Sequence, residues 1–336
     1  MHKCTKYVSA MKFIFTLIAL TSFLSCQAQN NKTMETKNNP LLCDPQTGVC
    51  EIPDSVVSSQ KETIKSTDKP VKIIYFTDPI CSSCWGIEPQ LRRLKLEYGN
   101  DVEIEYRMGG LLPDWSYNSG GISKPSDVAH HWDEVSAYYK MPIDGDVWLE
   151  DPLSSSYPPS IAFKAAQYQD KEKAVLFMRE LRELLFLRKK NITKWEFIEQ
   201  AAKKSGLDTR QLKTDYEGRA KEWFQNDLEL AKKMGVRGFP SVFITNEQGQ
   251  SEFIYGFRPY AVYEYGIQKI YPEITKYSYP KDWQSLFKKY ASLTTREYSE
   301  LSDKSWEESE KELEQLADQG KLKKVISKNG PLWVKD

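Results

Sequence analysis

Two cysteines in close spacing carry the clearest chemistry of this 336-residue chain. Cys81 and Cys84 follow an apolar segment, residues 71–77, and they precede a segment with helical spacing. A dithiol at a strand-to-helix junction is typical of a redox site. Because the unpaired N–H groups at a helix start favour a thiolate, we predict a lowered pKa for Cys81 and expect its thiolate to attack first. Cys84, one turn further on, is then placed to close a disulfide.

The segments around this dithiol predict the elements that position it. Residues 71–77 predict a central strand that is buried on both faces, residues 85–98 a helix, and residues 102–108 a half-buried strand. Pro89 lies shortly after Cys84, where we expect it to kink the helix. The dithiol then lies at the carboxyl end of the first strand, where open α/β sheets place their functional sites.

A second half of the sheet follows much later in the chain. Residues 235–240 read Gly-Val-Arg-Gly-Phe-Pro, and residues 242–256 predict two strands joined by a turn, before a helix that runs towards residue 270. Between the two halves, residues from about 125 to 234 show helical spacing. We therefore predict an α/β fold with a mixed sheet and an all-helical insertion.

The chain divides into four predicted parts. Residues 1–28 read as an export signal, and residues 29–68 are polar and lysine-rich, which predicts a flexible tether. Residues 69–275 hold both halves of the sheet. Residues 280–336 predict a small module of helix plus hairpin, with Asn-Gly at the turn.

The small C-terminal module resembles a winged-helix module, a kind of fold that often binds DNA. The helix that would contact DNA is acidic, however, and would repel phosphates. Its glutamates are Glu307, Glu308, Glu310, Glu312 and Glu314. We therefore interpret the module as a protein-contact or packing element, with a plain C-terminal extension of the main domain as the alternative.

The composition excludes several kinds of partner and site. Lys plus Arg and Asp plus Glu both number 47, so the net charge is zero and no basic field attracts nucleic acid or an anionic membrane. No cysteine follows Cys84, which argues against a fold stapled by disulfides. Among three histidines, only His130 and His131 lie in the predicted folded body, too few for a zinc site. We expect no metal, and no cofactor beyond a redox-active disulfide.

The N-terminal segment predicts export and a membrane anchor. Residues 13–20 form an apolar run of signal-peptide length, and the run ends in Phe-Leu-Ser before Cys26. This resembles a bacterial lipobox, which would make Cys26 the lipidated residue. Ordinary cleavage after Ala28 is the alternative. Both predict a periplasmic protein or a membrane-anchored lipoprotein of a bacterial cell envelope, where disulfides persist.

Cys43 and Cys50 lie at the ends of a short loop within the predicted tether. The loop contains Asp-Pro and Thr-Gly, which is turn chemistry, so the two thiols could form a disulfide. That disulfide would either fix the loop or act as an auxiliary redox pair that relays electrons to Cys81 and Cys84. A relay requires a mobile arm that docks at the site. The sequence leaves both alternatives open.

Taken together, these motifs resemble the DsbA family of the thioredoxin superfamily over about residues 69–272. The resemblance rests on the Cys-Ser-Ser-Cys motif at residues 81–84, on Pro89, on the helical insertion and on the motif at residues 235–240. The motif and the insertion are also similar to a DsbA-like subgroup that contains protease-adaptor proteins.

The DsbA resemblance implies a thioredoxin-like fold and a role for several residues. It implies that Cys81 is the catalytic nucleophile and Cys84 the resolving cysteine. It also implies that Pro240 is a cis proline facing the disulfide, and that the backbone of Phe239 binds an extended substrate chain. Trp85 directly follows the dithiol, and the resemblance implies that it also contacts the substrate.

These observations predict an enzyme, a cell-envelope thiol–disulfide oxidoreductase that exchanges disulfides with protein substrates at Cys81 and Cys84. The direction of exchange stays open, and an unidentified redox partner is expected. The only expected link to a membrane is the lipid anchor. The alternative is a DsbA-like adaptor or chaperone-type binding protein with a non-catalytic dithiol.

Overall fold

The computed structural model describes residues 43–44, 48–51, 69–116 and 124–335. The predicted export signal and Cys26 lie outside these residues. Within the described ranges the strands are β1 (Cys43–Asp44), β2 (Val49–Glu51), β3 (Val71–Thr77), β4 (Val102–Met108), β5 (Gly238–Phe239), β6 (Ser241–Asn246), β7 (Ser251–Tyr255), β8 (Ser292–Thr294), β9 (Lys323–Ser327) and β10 (Gly330–Val334).

The helices lie mostly between β4 and β5 and near the C-terminus. They are α1 (Ser82–Gly86), α2 (Glu88–Tyr98), α3 (Pro125–Tyr139), α4 (Val147–Glu150), α5 (Tyr157–Gln169), α6 (Lys171–Arg188), α7 (Trp195–Lys204), α8 (Thr209–Glu217), α9 (Ala220–Lys233), α10 (Tyr260–Ile270), α11 (Trp283–Lys289), α12 (Thr295–Ser302) and α13 (Trp306–Asp318). None of the helices in the described ranges combines the length and the apolar character needed to cross a bilayer.

The main sheet has four strands in the order β4-β3-β6-β7, and β3 lies inside it. β3 runs parallel to β4 and antiparallel to β6, with Tyr75 opposite Tyr106 on one side and Val242 on the other. Every residue of β3 except Lys72 is buried, which explains its continuous apolar sequence. The predicted α/β, thioredoxin-like fold with a mixed sheet is confirmed.

The helix after β3 is broken before its proline. α1 ends at Gly86, and α2 begins at Glu88, so Ile87 separates two helices. Pro89 lies in the first turn of α2, where its missing N–H would have had no partner within the helix. The expected kink at Pro89 is therefore wrong, because the proline starts a new helix instead of interrupting one.

The helical insertion spans α3 to α9 and packs through aromatic side chains. Trp132 lies between Trp148 and Phe186, with ring centroids 5.2 and 4.9 Å apart. Phe186 also stacks on Trp85 of α1, at 5.6 Å. The insertion thus packs directly against the short helix that carries the dithiol.

The C-terminal module has its own small core. Its elements follow the order α11, β8, α12, α13, β9 and β10, and its three strands form a sheet in the order β8-β10-β9. Leu293, Tyr298, Leu313 and Trp333 are buried within it. The predicted helix plus hairpin is present, and the likeness to a winged-helix module stays a prediction.

A buried charge cluster attaches this module to the main domain. Glu297 of α12 is fully buried and accepts two hydrogen bonds from Arg179 of α6, at 2.7 and 3.0 Å. Arg92 of α2 lies 3.2 Å from the same carboxylate. Since buried charges require partners, the cluster fixes α2, α6 and α12 to one another.

A short segment before the main domain forms a second small sheet, in the order β1-β2-β5. We call residues 48–51 the arm. Cys50 of the arm pairs with Phe239, and Glu51 pairs with Gly238. The Gly48 carbonyl accepts a hydrogen bond from the Phe257 N–H at 2.8 Å. Part of the predicted flexible tether is therefore an ordered strand on the main domain.

Candidate functional site

Cys81 lies at the N-terminus of α1, directly after the loop that follows β3. Its Sγ accepts a hydrogen bond from the Cys84 N–H at 3.1 Å, and its carbonyl accepts one from the Trp85 N–H at 3.1 Å. Cys81 and Cys84 are both free thiols. The dithiol thus occupies the predicted position at a helix start beyond the carboxyl end of a central strand.

The two thiols are sealed from solvent, with an exposed fraction of 0% for Cys81 and for Cys84. Burial, together with the neighbouring Cys84 sulfur, raises the pKa of Cys81 well above its ordinary value. The Cys84 N–H favours the thiolate but does not offset the loss of water. The predicted lowering of the Cys81 pKa is therefore wrong.

A buried cation from the insertion lies beside the dithiol. Arg182 of α6 is 1% exposed and donates to the Thr77 hydroxyl at 2.7 Å and to the Asp78 carbonyl at 3.3 Å. It also donates to the Glu88 carboxylate at 3.2 Å. Burial alone would raise the pKa of Cys84, but a hydrogen bond with Cys81 and then the charge of Arg182 lower it. The negative charge of the pair is thus best held at Cys84.

Asp78 ties the loops around the dithiol together. Its carboxylate accepts hydrogen bonds from the N–H groups of Ile80 and Leu111, at 3.0 and 2.8 Å, and from the Ser156 hydroxyl at 2.8 Å. Burial raises its pKa to about 6, although these hydrogen bonds oppose the shift. Asp78 therefore fixes the loop before Cys81 to the loops after β4 and before α5.

Ser83 and Trp85 anchor α1 to the insertion. The Ser83 hydroxyl hydrogen-bonds to the Tyr139 hydroxyl at 2.7 Å, and Trp85 Nε1 donates to the Pro142 carbonyl at 3.1 Å. Arg179 lies over the Trp85 ring at 4.5 Å. Because Trp85 is fully buried, it offers no surface to a substrate, which corrects the predicted substrate-binding role of Trp85.

The loop before β6 contains the predicted cis proline, since the Phe239–Pro240 bond is cis. The backbone of Phe239 was predicted to bind an extended substrate chain. In the structure this backbone is paired with Cys50 of the arm. The arm, a segment of the same chain, therefore occupies the backbone edge of Phe239 where a substrate was predicted to bind.

The arm brings a third cysteine to the dithiol. Cys50 is fully buried and disulfide-bonded, and its Sγ lies 3.4 Å from the Sγ of Cys81. Cys43 lies opposite Cys50 in the register of β1 and β2. The structure thus joins Cys50, Cys81, Phe239 and Pro240, which are distant in the sequence, in one site.

Sequence analysis missed two contributors to the site, Arg182 and Asp78. A signal for Arg182 exists, because it lies at helical spacing with Met178, Leu185 and Phe186, so a charge falls on an apolar face. Asp78 precedes a proline and reads as an ordinary turn residue. Across the described part of the chain, no group of acidic, histidine or cysteine side chains is arranged to hold a metal ion.

Similarity to known proteins identifies the fold and the class of relatives. A family model described as "Thioredoxin" matches residues 75–265. A protein disulfide isomerase candidate from Nitrosomonas europaea, of known structure, superposes with a TM-score of 0.51 at 18% identity, over 60% of this chain and 96% of that one. These matches confirm the predicted DsbA-like thioredoxin fold.

Relatives at higher identity carry a different description. The ClpXP adapter protein SpxH of Halalkalibacterium halodurans is 34% identical over 89% of this chain and 99% of its own. The protein of the same name from Bacillus subtilis is 31% identical over 79% of this chain and 89% of its own.

The names of these relatives overturn the principal functional prediction. The relatives from Halalkalibacterium halodurans, Bacillus subtilis and Bacillus licheniformis, between 26% and 34% identical, are described as adapters and not as oxidoreductases. The prediction of a cell-envelope thiol–disulfide oxidoreductase acting on protein substrates is therefore wrong. The alternative, an adaptor-type binding protein, agrees with the relatives.

Proposed function

Because this chain belongs to the thioredoxin family matched at residues 75–265 and to the family of the ClpXP adapter protein SpxH, we propose that it is an adaptor. In this proposal it binds a protein client and presents it to ClpXP. The thioredoxin-like domain acts as a binding platform, and its dithiol does not turn over external substrates.

The observation that carries the proposal is the length of the match to an adapter. The relative from Halalkalibacterium halodurans aligns over 99% of its own length and 89% of this chain, so the likeness extends well beyond residues 75–265, which match the thioredoxin family model. A fold alone can host many functions, so a likeness that extends beyond the thioredoxin-like domain supports a shared function better than the fold does.

The site geometry supports the same conclusion. An oxidoreductase that acts on proteins needs an accessible attacking sulfur and a free backbone edge to hold the substrate chain. Here Cys81 is fully buried, and the arm pairs with the backbone of Phe239. Neither requirement is met while the arm is docked, so a protein substrate has no access to the sulfur.

Location is a separate proposal. Residues 1–28, with Cys26 as the lipidation site, support a competing proposal, export to the cell envelope, which would separate the chain from ClpXP. An exported chain would take a partner other than ClpXP, whereas a chain that keeps these residues in the cytoplasm can take ClpXP itself. Fractionation of the host cell, with a Cys26→Ala variant as the control, measures cleavage and lipidation directly.

The adaptor function is tested by protein turnover in the host bacterium. We expect deletion of the gene to lengthen the half-lives of client proteins that ClpXP degrades. Wild-type chain and the Cys81→Ser/Cys84→Ser variant should both restore the short half-lives, because the proposed platform does not use the dithiol for turnover.

Two controls make the result decisive. A strain that lacks ClpXP should show the same long half-lives with and without the chain. The folded state of the double variant is checked by its thermal unfolding. The proposal would be overturned if the deletion left the half-lives of the clients unchanged. It would also be overturned if only a chain with both cysteines restored the short half-lives.

A further inference from the structure

We propose that the chain contains an internal thiol–disulfide relay, in which Cys81 attacks the disulfide at Cys50 and Cys84 completes the transfer. The reaction takes place within one chain and involves no external protein substrate. It goes beyond the adaptor function and does not depend on it.

The geometry places the reacting sulfurs within range of each other. Cys50 Sγ belongs to a disulfide, Cys81 Sγ is a free thiol, and 3.4 Å separates them. Reacting atoms in near-attack arrangements are roughly 3–3.5 Å apart, so little movement is needed before the bond can form. Holding both groups in one chain also removes the entropy cost of an encounter.

The backbone keeps the two sulfurs in this arrangement. β2 pairs with β5, so Cys50 lies beside Phe239 and next to the cis proline loop. On the other side of the arm, the Gly48 carbonyl accepts a hydrogen bond from the Phe257 N–H at 2.8 Å. The arm is therefore positioned from two sides and not by the sulfur contact alone.

Burial restricts the reaction to these partners. Cys50, Cys81 and Cys84 each have an exposed fraction of 0%, so small thiols in solution do not reach them while the arm is docked. Within the dithiol, the charge of Arg182 supports a thiolate at Cys84. That thiolate is ready for the second step, whereas in the first step the proton of Cys81 passes to the sulfur that leaves the arm disulfide.

The relay balances without any outside oxidant or reductant. In the first step, a bond forms between the sulfurs of Cys81 and Cys50, and the bond from Cys50 to its disulfide partner, predicted to be Cys43, breaks. In the second step, Cys84 attacks Cys81, and the bond between Cys81 and Cys50 breaks. Cys81 and Cys84 become oxidised to a disulfide, and the arm cysteines are reduced, so the one proton and the one negative charge that the dithiol held both end on the arm.

The transfer changes the surface beside the cis proline. Once its disulfide is reduced, the short β1–β2 pair loses the cross-link that limits its freedom. β2 has only two register pairs with β5. We expect the reduced arm to leave β5, which frees the backbone edge of Phe239, so the redox state of the arm controls access to this edge.

A trapping experiment on the full-length protein tests the relay. The Cys84→Ser variant cannot complete the second step, so the Cys50–Cys81 disulfide should accumulate. The protein is purified with its arm disulfide intact and treated with N-ethylmaleimide, which alkylates the arm cysteine released when Cys81 attacks Cys50. It is then digested without reductant, and the peptides are analysed by mass spectrometry. The peptide pair that joins residues 50 and 81 should be at least about tenfold more abundant than in wild type, since only wild type resolves it internally.

A second variant and a control keep the test decisive. Cys84→Ala should trap the same peptide pair if Cys84→Ser folds poorly, and thermal unfolding identifies which variants are folded. The Cys50→Ser/Cys84→Ser variant should give no such peptide. A folded Cys84 variant with the arm disulfide unchanged and Cys81 unlinked would overturn the relay, as would a link from Cys81 to Cys43, which would exclude Cys50 as the attacked sulfur.

Discussion

Replacing Gly48 by Ala should lift the arm from the dithiol. Gly48 has a φ of +66°, a conformation that L side chains rarely adopt. A Cβ at this position would lie 2.2 Å from Phe257 Cβ and 2.5 Å from Phe257 N. Because the backbone of Phe257 cannot move aside as a long side chain would, the arm has to move instead.

The expected size of the effect follows from the contacts of the arm. The left-handed conformation costs an alanine about 1 kcal/mol more than a glycine. Loss of the hydrogen bond between the Phe257 N–H and the Gly48 carbonyl adds about 1 kcal/mol, and further displacement weakens the pairing with β5. A total of about 2–3 kcal/mol corresponds to a roughly 30- to 150-fold larger population with the arm undocked.

Alkylation of Cys81 reports this population directly. Native protein is exposed to iodoacetamide without reductant, and the modified Cys81 peptide is quantified over time by mass spectrometry. Since the thiol is fully buried, it reacts only through the open state, so its rate of alkylation should rise by the same factor, roughly 30- to 150-fold.

Gly249 provides a matched control. It also has a positive φ, +74°, but a Cβ there would meet nothing within 4 Å. Gly249→Ala therefore introduces the conformational strain alone, away from the arm, and should leave the Cys81 rate unchanged. An unaltered rate in Gly48→Ala would show that the arm does not cover the thiol. Equal acceleration in both variants would indicate general destabilisation instead.

Three further predictions concern buried charges. Glu297→Gln should lower the free energy of unfolding by about 3 kcal/mol, because Arg179 stays buried but loses the negative charge opposite it. Urea denaturation measures this change, and a urea midpoint equal to that of wild type would contradict the prediction. Burial raises the pKa of Asp78 to about 6 in the folded chain, so the folded state binds the proton more tightly than the unfolded state. The free energy of unfolding should therefore fall as the pH rises from about 4 to about 6, by on the order of 3 kcal/mol, and Asp78→Asn should flatten this part of the profile relative to wild type. Arg182→Met removes a charge that lowers the pKa of Cys84, so a pH titration followed by the ultraviolet absorbance of the thiolate should place the pKa of Cys84 higher than in wild type.

Local sequence patterns were sufficient for the framework of the fold. The apolar run of β3 and the alternating pattern of β4 predicted two paired strands, because burial on both faces or on one face leaves a direct trace in the sequence. The dithiol lies at the predicted strand-to-helix junction, because the apolar run of β3 directly before it was visible in the sequence. These features depend on residues within a few positions of one another.

Features that depend on distant packing were not predictable in the same way. The apolar face of α6 indicates that Arg182 is buried, but it does not indicate that Arg182 binds Thr77 and the Asp78 carbonyl, about a hundred positions earlier in the chain and next to the dithiol. The pKa of Cys81 was predicted from the helix start alone, which favours the thiolate. Burial by elements from other parts of the chain has the opposite effect and is larger.

The arm explains why a correct fold led to a wrong function. A strand of three residues has no periodicity that sequence analysis can detect, so its position on β5 was not foreseen. Yet this strand determines what the site can do, because an exposed backbone edge invites pairing with another chain, and here the edge is already covered. The same motif that would hold a substrate in an oxidoreductase holds the chain's own Cys50 against Cys81. The dithiol therefore lies against a cysteine of its own chain, and this arrangement agrees with the proposed adaptor function.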